Sequence, residues 1–306
     1  MKMKRILALL LSVFLTAAFP FCALGEDARP LHIVCTSFPC YDFARAVAGE
    51  EAEIQLLIKP GAEVHSYEPT PSEVLSIAGC DLFVYVGGES DAWVVDLLDS
   101  FGDEAPRQLR FFDCVEKLEE AEHEEDHDHA AEYDEHIWTS PKNAMRMVDA
   151  LQAELCALMP GSAERFQDRA QAYMDLIGEI DAAFEKVVAG GKRREMIFAD
   201  RFPFLYFARE YGIEWYAAFD SCSSESEPSA KTMMELINRI IEDEVPVVYT
   251  IELSNEKTAR AIADETGVEI CTFYSVQNVT EVDFSAGESY VSLMLKNVAS
   301  LERGLN

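Results

Sequence analysis

The chain has 306 residues, 49% of them hydrophobic, with 25 basic against 56 acidic side chains and a formal net charge of -31. So large an acidic excess excludes nucleic acid and anionic membrane as partners. The length and apolar fraction suffice for a substantial core divided over two domains.

Residues 1–25 carry Lys2, Lys4 and Arg5, then an apolar run from Ile6 to Phe21, then Ala23-Leu24-Gly25. This is the pattern of a secretory signal peptide. Cutting after Gly25 leaves 22 basic and 56 acidic residues, a net charge of -34. Cys22 raises the alternative of a lipid anchor, although Phe19-Pro20-Phe21 are not the small residues expected before a lipidated cysteine. No later apolar run approaches the roughly 20 residues needed to span a bilayer, so the mature chain is expected to be exported and soluble. Its seven cysteines lack CxxC spacing, which argues against a zinc ribbon or a dense disulfide framework while leaving room for one or two bridges.

From Leu31 short apolar runs alternate with amphipathic stretches. HIVCTS reads as strand, YDFARAVAG as helix, EIQLLIK as strand, SEVLSIAG as helix, DLFVYVG as strand, SDAWVVDLLDSF as helix and RQLRFFD as strand. This is βαβ order, which predicts an N-terminal α/β lobe over residues 31–158 with a largely parallel sheet. Pro141 to Leu158 reads as a helix that Pro160-Gly161-Ser162 breaks. A linking helix over residues 162–189 follows, long enough to join two lobes. Residues 191–306 repeat the alternation with EMIFAD, IEWYAAF, PVVYTIE and VEICTFYS as strands, and a last helix is expected from about Ser285 to Leu301. The fold class is therefore α/β, two lobes with parallel-rich sheets joined by a long rigid helix.

Residues 116–135 form an acidic, His-rich loop. His123, His127 and His129 lie where no apolar face exists to bury, so they are expected to be mobile, transient ligands for a cation. His136 differs, because Ile137-Trp138 return the chain to order and Ser140-Pro141 supply an N-cap and a first-turn proline. His65 shares that design, in a loop after a strand and before the capping box of Thr70-Pro71-Ser72-Glu73. Ligands of open α/β sheets bind at the carboxyl ends of strands, where the second half places Asp200, Glu252 and Tyr274. Two imidazoles with a carboxylate suit zinc. Glu252 has the rival role of capping the helix after Ser254-Asn255-Glu256.

HSYEPTPSEV, the His-rich insertion, DEHIWTSPKNA, FLYFAREYG and IELSNEKTARAIADETG, in that order, resemble the zinc and manganese solute-binding proteins of ABC transporters, adhesin-like members included. The likeness runs from about Leu31 to Asn306. It implies an extracytoplasmic monomer, not an enzyme, that holds a metal ion between two lobes and delivers it to an ABC membrane permease. His65 and His136 fall on the family's two N-lobe ligand positions. The family's third ligand, before a Tyr-Phe pair, falls on Arg201 without a gap and on Asp200 with one inserted residue. Its final Asp falls on Tyr274, so Tyr274, Glu252 or water takes the fourth place. The His-rich insertion favours zinc, and the carboxylate in place of a third His leaves manganese or iron as alternatives.

Two other classes compete. His123-Glu124-Glu125-Asp126-His127 spells HExxH, but that motif works on a buried helix with both His on one face, and no apolar stripe is present to bury it. A surface adhesin can share such a fold, yet no residues mark an adhesive surface.

Overall fold

The computed structural model describes residues 29–119, 133–219 and 228–306. His123, His127, His129, Cys22 and Cys222 lie outside them, as does all of the expected signal peptide. Leu31 to Asn306 form one compact unit.

The first half runs β1 (Leu31–Cys35), α1 (Phe38–Ala48), β2 (Ala52–Leu56), α2 (Pro71–Ala78), β3 (Leu82–Tyr85), α3 (Ala92–Phe101) and β4 (Gln108–Arg110). Two antiparallel-packed helices follow, α4 (Pro141–Leu158) and α5 (Ala163–Gly190). The second half runs β5 (Glu195–Phe198), α6 (Leu205–Tyr211), β6 (Glu214–Ala217), α7 (Ala230–Glu242), β7 (Val247–Thr250), α8 (Lys257–Thr266), β8 (Glu269–Thr272), α9 (Glu281–Ser285) and α10 (Tyr290–Leu305). Both four-stranded sheets are parallel, with orders β2-β1-β3-β4 and β6-β5-β7-β8, so each half repeats one winding.

The expected linking helix is α5, whose 28 residues span about 42 Å at 1.5 Å per residue. Its buried stripe of Phe166, Ala170, Ile177, Ile180, Phe184 and Val188 recurs at helical spacing and serves both halves. Tyr173 meets Phe43 of α1 edge-on at 6.2 Å, and Phe184 meets Phe207 of α6 edge-on at 4.9 Å. Truncating a phenylalanine buried like Phe184 costs about 3–5 kcal/mol, so these contacts fasten both sheets to one strut.

Three expectations change. The strand over RQLRFFD stops at Arg110, because Phe111–Cys114 winds into a 3-10 turn that buries Phe111 and Phe112. The last helix, expected from about Ser285, starts at Tyr290, because Gly287 at φ 78° parts it from the short α9 and Ser289 starts α10 with a capping box to Ser292. Cys35, Cys40, Cys80, Cys114, Cys156 and Cys271 are free thiols. Among the described residues no helix is long and apolar enough to cross a membrane.

Candidate metal centre

His65 sits in the loop between β2 and α2. Thr70 caps α2 through a capping box with Glu73 and Pro71 opens it, so the loop's exit is fixed locally. The imidazole leans on the loop after β3, where its Nδ1 is 3.0 Å from Ser90 Oγ. That loop is held by buried Asp91, whose Oδ2 accepts the Val86 and Gly87 N–H groups at 2.8 and 3.0 Å. Burial pushes the Asp91 carboxyl up to about 6, against those N–H donors.

His136 follows the His-rich insertion, whose ends meet in an antiparallel bridge of Glu119 with Tyr133. As expected, Ser140 accepts the Asn143 N–H as N-cap of α4, and Pro141 opens the helix. The imidazole is fully buried, with Asp134 Oδ1 3.3 Å from its Nδ1. A carboxylate beside Nδ1 favours the Nδ1–H tautomer and leaves the Nε2 lone pair for a cation.

Glu135, which sequence reading passed over, completes the cluster. One donor atom from each of His65, Glu135 and His136 lies within 4.8 Å of the other two. The Glu135 carboxylate is buried and accepts the Ser90 N–H at 2.8 Å, the Ser90 hydroxyl, and Gln277 Nε2–H at 3.1 Å. With the Ser90 hydroxyl donated to Glu135, His65 Nδ1 is the donor to Ser90 Oγ, which makes Nε2 the acceptor nitrogen. Gly88 makes this approach possible, since a Cβ there would stand 2.2 Å from Glu135 Cβ. Zinc takes nitrogen and oxygen ligands at about 2.0–2.2 Å in a tetrahedron, so its ligand atoms stand about 3.3–3.6 Å apart, and an inward shift on the order of 1 Å gathers these three. The residues fit a zinc-sized ion.

The segment from Ser275 to Val279, after β8, clasps both histidine loops. Ser275 O accepts the Trp138 indole N–H at 2.7 Å, and Gln277 holds Glu135. Asn278 Nδ2 donates to Lys59 O and Ala62 O at 3.0 and 2.8 Å, and Gly61 N–H donates to Val279 O at 2.8 Å. At about 0.5–1.5 kcal/mol net each, these bonds tie the ligand loops to the second half.

A cleft of about 220 Å³ opens beside His65, walled by Glu63, Asp200, Arg201, Glu252, Lys257 and Gln277 among others. Asp200 thus lines the cleft, but it lies outside the three-residue cluster, and its Oδ1 accepts the Arg201 N–H at 2.9 Å. Glu252 is buried and accepts the Ser275 N–H and hydroxyl, each at 2.6 Å; burial pushes its carboxyl up to about 7 despite those donors. It does not cap α8, whose N-cap residue is Glu256. Tyr274 is not part of the cleft wall: its backbone is held by Asn297 and its ring lies 5.3 Å from the Lys296 ammonium. Burial raises its phenol above the ordinary value, which disfavours the phenolate a metal would need. Burial lowers the His65 pKa, Glu135 opposes that, and His136 and Arg201 reinforce it.

Parallel sheets wound alike and joined through one long helix, with donor side chains gathered beside the cleft, define the class of two-lobed solute-binding proteins. The chain belongs to the family described as zinc-uptake complex component A, periplasmic, which it matches over residues 33–304. It is 32% identical over 309 residues to the zinc-binding lipoprotein AdcA of Streptococcus pneumoniae, covering 99% of this chain and 60% of the relative. The chain therefore spans about three fifths of that relative's length. The crystal structure of the Zn(II)-bound ZnuA-like domain of that protein superposes with a TM-score of 0.77 at 30% identity, over 90% of this chain and 99% of the domain. The high-affinity zinc uptake system protein ZnuA of Bacillus subtilis is 27% identical over 90% of this chain and 88% of the relative.

Proposed function

We propose that this chain is an extracytoplasmic solute-binding protein, not an enzyme, that captures one zinc ion with His65, Glu135 and His136 and delivers it to an ABC permease. It is read as exported by the segment ending at Gly25 and working as a monomer. The observation that supports this best is the convergence of two imidazoles and a carboxylate, 71 positions apart at the extremes, within 4.8 Å at the carboxyl ends of one sheet. Zinc is chosen over manganese or iron because two imidazoles dominate the set and the relatives named above are zinc binders. The acidic His-rich segment raises the cation concentration around the protein. Asp200, a carboxylate of the opposite wall, acts on the ion through its charge and not as a ligand.

The test is titration of the metal-free protein with zinc against a chromophoric chelator. One tight site is expected, surviving deletion of residues 120–132, with weaker additional binding lost by the deletion. His136→Ala should cost more than about 100-fold in affinity, beyond the 10–100-fold typical of a residue that only orients a ligand. Unchanged affinity in that variant, with circular dichroism showing a folded chain, would refute the assignment.

A further inference from the structure

We propose, resting on the zinc reading above, that the ion is held together with a small oxyanion of the carboxylate or carbonate class, which supplies the fourth ligand and pairs with Arg201 across the cleft. Among the described residues the cluster offers three donors, and zinc ordinarily takes four. Among the described residues the cluster is exposed on its His65 side. His136 and Glu135 are buried at 0% and 3% exposure, whereas the His65 side chain is 21% exposed and borders the cleft. A fourth ligand therefore enters past His65.

The wall it meets there is poorly suited to a bare dication. Arg201 lines the cleft with His65, close enough to act on its charge, and among the described residues its guanidinium pairs with Glu63 at 4.0 Å, which is 55% exposed and so a weak neutraliser. Lys257 lines the same cleft. Both C-lobe carboxylates that could answer a cation accept protein N–H groups, Asp200 from Arg201 and Glu252 from Ser275. Zinc with Glu135 as its one carboxylate carries a residual single positive charge facing a guanidinium. An oxyanion reverses both repulsions: one oxygen completes the zinc and the other takes the planar Arg fork. The first turn of α8, with Lys257 and Thr258 in the wall beside the preceding Asn255, adds a positive field in the same direction. The cleft's 220 Å³ holds an anion of a few heavy atoms.

The experiment uses the full chain at fixed ionic strength, with sodium perchlorate replaced stepwise by acetate or by bicarbonate. Zinc affinity is expected to rise about tenfold, the scale of one charge-assisted bidentate contact. The visible spectrum of the Co2+-loaded protein should change saturably over the same range. Arg201→Met should bind zinc in perchlorate as tightly as wild type or more tightly, because a repulsive charge is gone, and should lose most of the anion response. A structural role for Arg201 would instead weaken zinc binding in every buffer. Stoichiometric zinc binding that ignores both anions in wild type overturns the inference and leaves the proposed function standing. So does a Co2+ spectrum in perchlorate that changes on Asp200→Asn or on deletion of residues 120–132, since either would identify the protein's own fourth ligand. Absence of a stoichiometric zinc site in all buffers would sink the proposed function itself.

Discussion

The two halves of this molecule wind their strands in the same order yet bring opposite chemistry to the cleft. After β2, β3 and β4 the first half supplies His65, Ser90, Glu135 and His136, an assembly of lone pairs. After β5, β7 and β8 the second half supplies Arg201, a carboxylate already committed at Glu252, and a clasp from Ser275 to Val279. Identical topology thus fixes where loops converge, while the loops alone decide what they hold. One half ligates and the other fastens.

That contrast can be broken by substitution. Glu135→Gln should lose about 100-fold in zinc affinity, because a charged ligand goes, whereas Asp200→Ala should lose less than about tenfold, the lower end of effects from groups around a metal. A larger loss at Asp200 than at Glu135 would move the ligating role across the cleft. A smaller effect concerns pH. Metal needs neutral imidazole, and burial holds the His65 pKa below its ordinary value, so protons compete at His65 only at pH below about 6.5. The His65 ring resonances of the metal-free protein, followed by NMR, should titrate with a midpoint under that value, with zinc affinity declining as pH falls through it. A midpoint above it would mean that Glu135 outweighs burial.

His65 and His136 were legible because each stands just before a helix whose start is written locally, by Thr70-Pro71-Ser72-Glu73 and by Ser140-Pro141. The α/β winding and α5 were legible from periodicity, since buried positions recur at strand or helix spacing. Glu135 was not. Adjacent side chains of an extended chain face opposite ways, and only the bend at His136, with φ -81° and ψ 46°, lets both neighbours reach one point. The one sequence signal was a Glu beside the histidine, common in so acidic a stretch. The clasp was equally hidden, because Trp138 to Ser275 and Glu135 to Gln277 are contacts between residues more than 130 apart. Tyr274 followed from a family position, but its ring packs toward Lys296 once α10 is in place.

Anomalous diffraction at the zinc edge, from crystals of the chain loaded with one equivalent of zinc, tests the central assignment most directly. A single strong peak is expected about 2.0–2.2 Å from an imidazole nitrogen of His65, an imidazole nitrogen of His136 and a carboxylate oxygen of Glu135. A peak bound instead by Asp200 and Glu252, with Glu135 still held by Ser90 and Gln277 and out of reach, would contradict it.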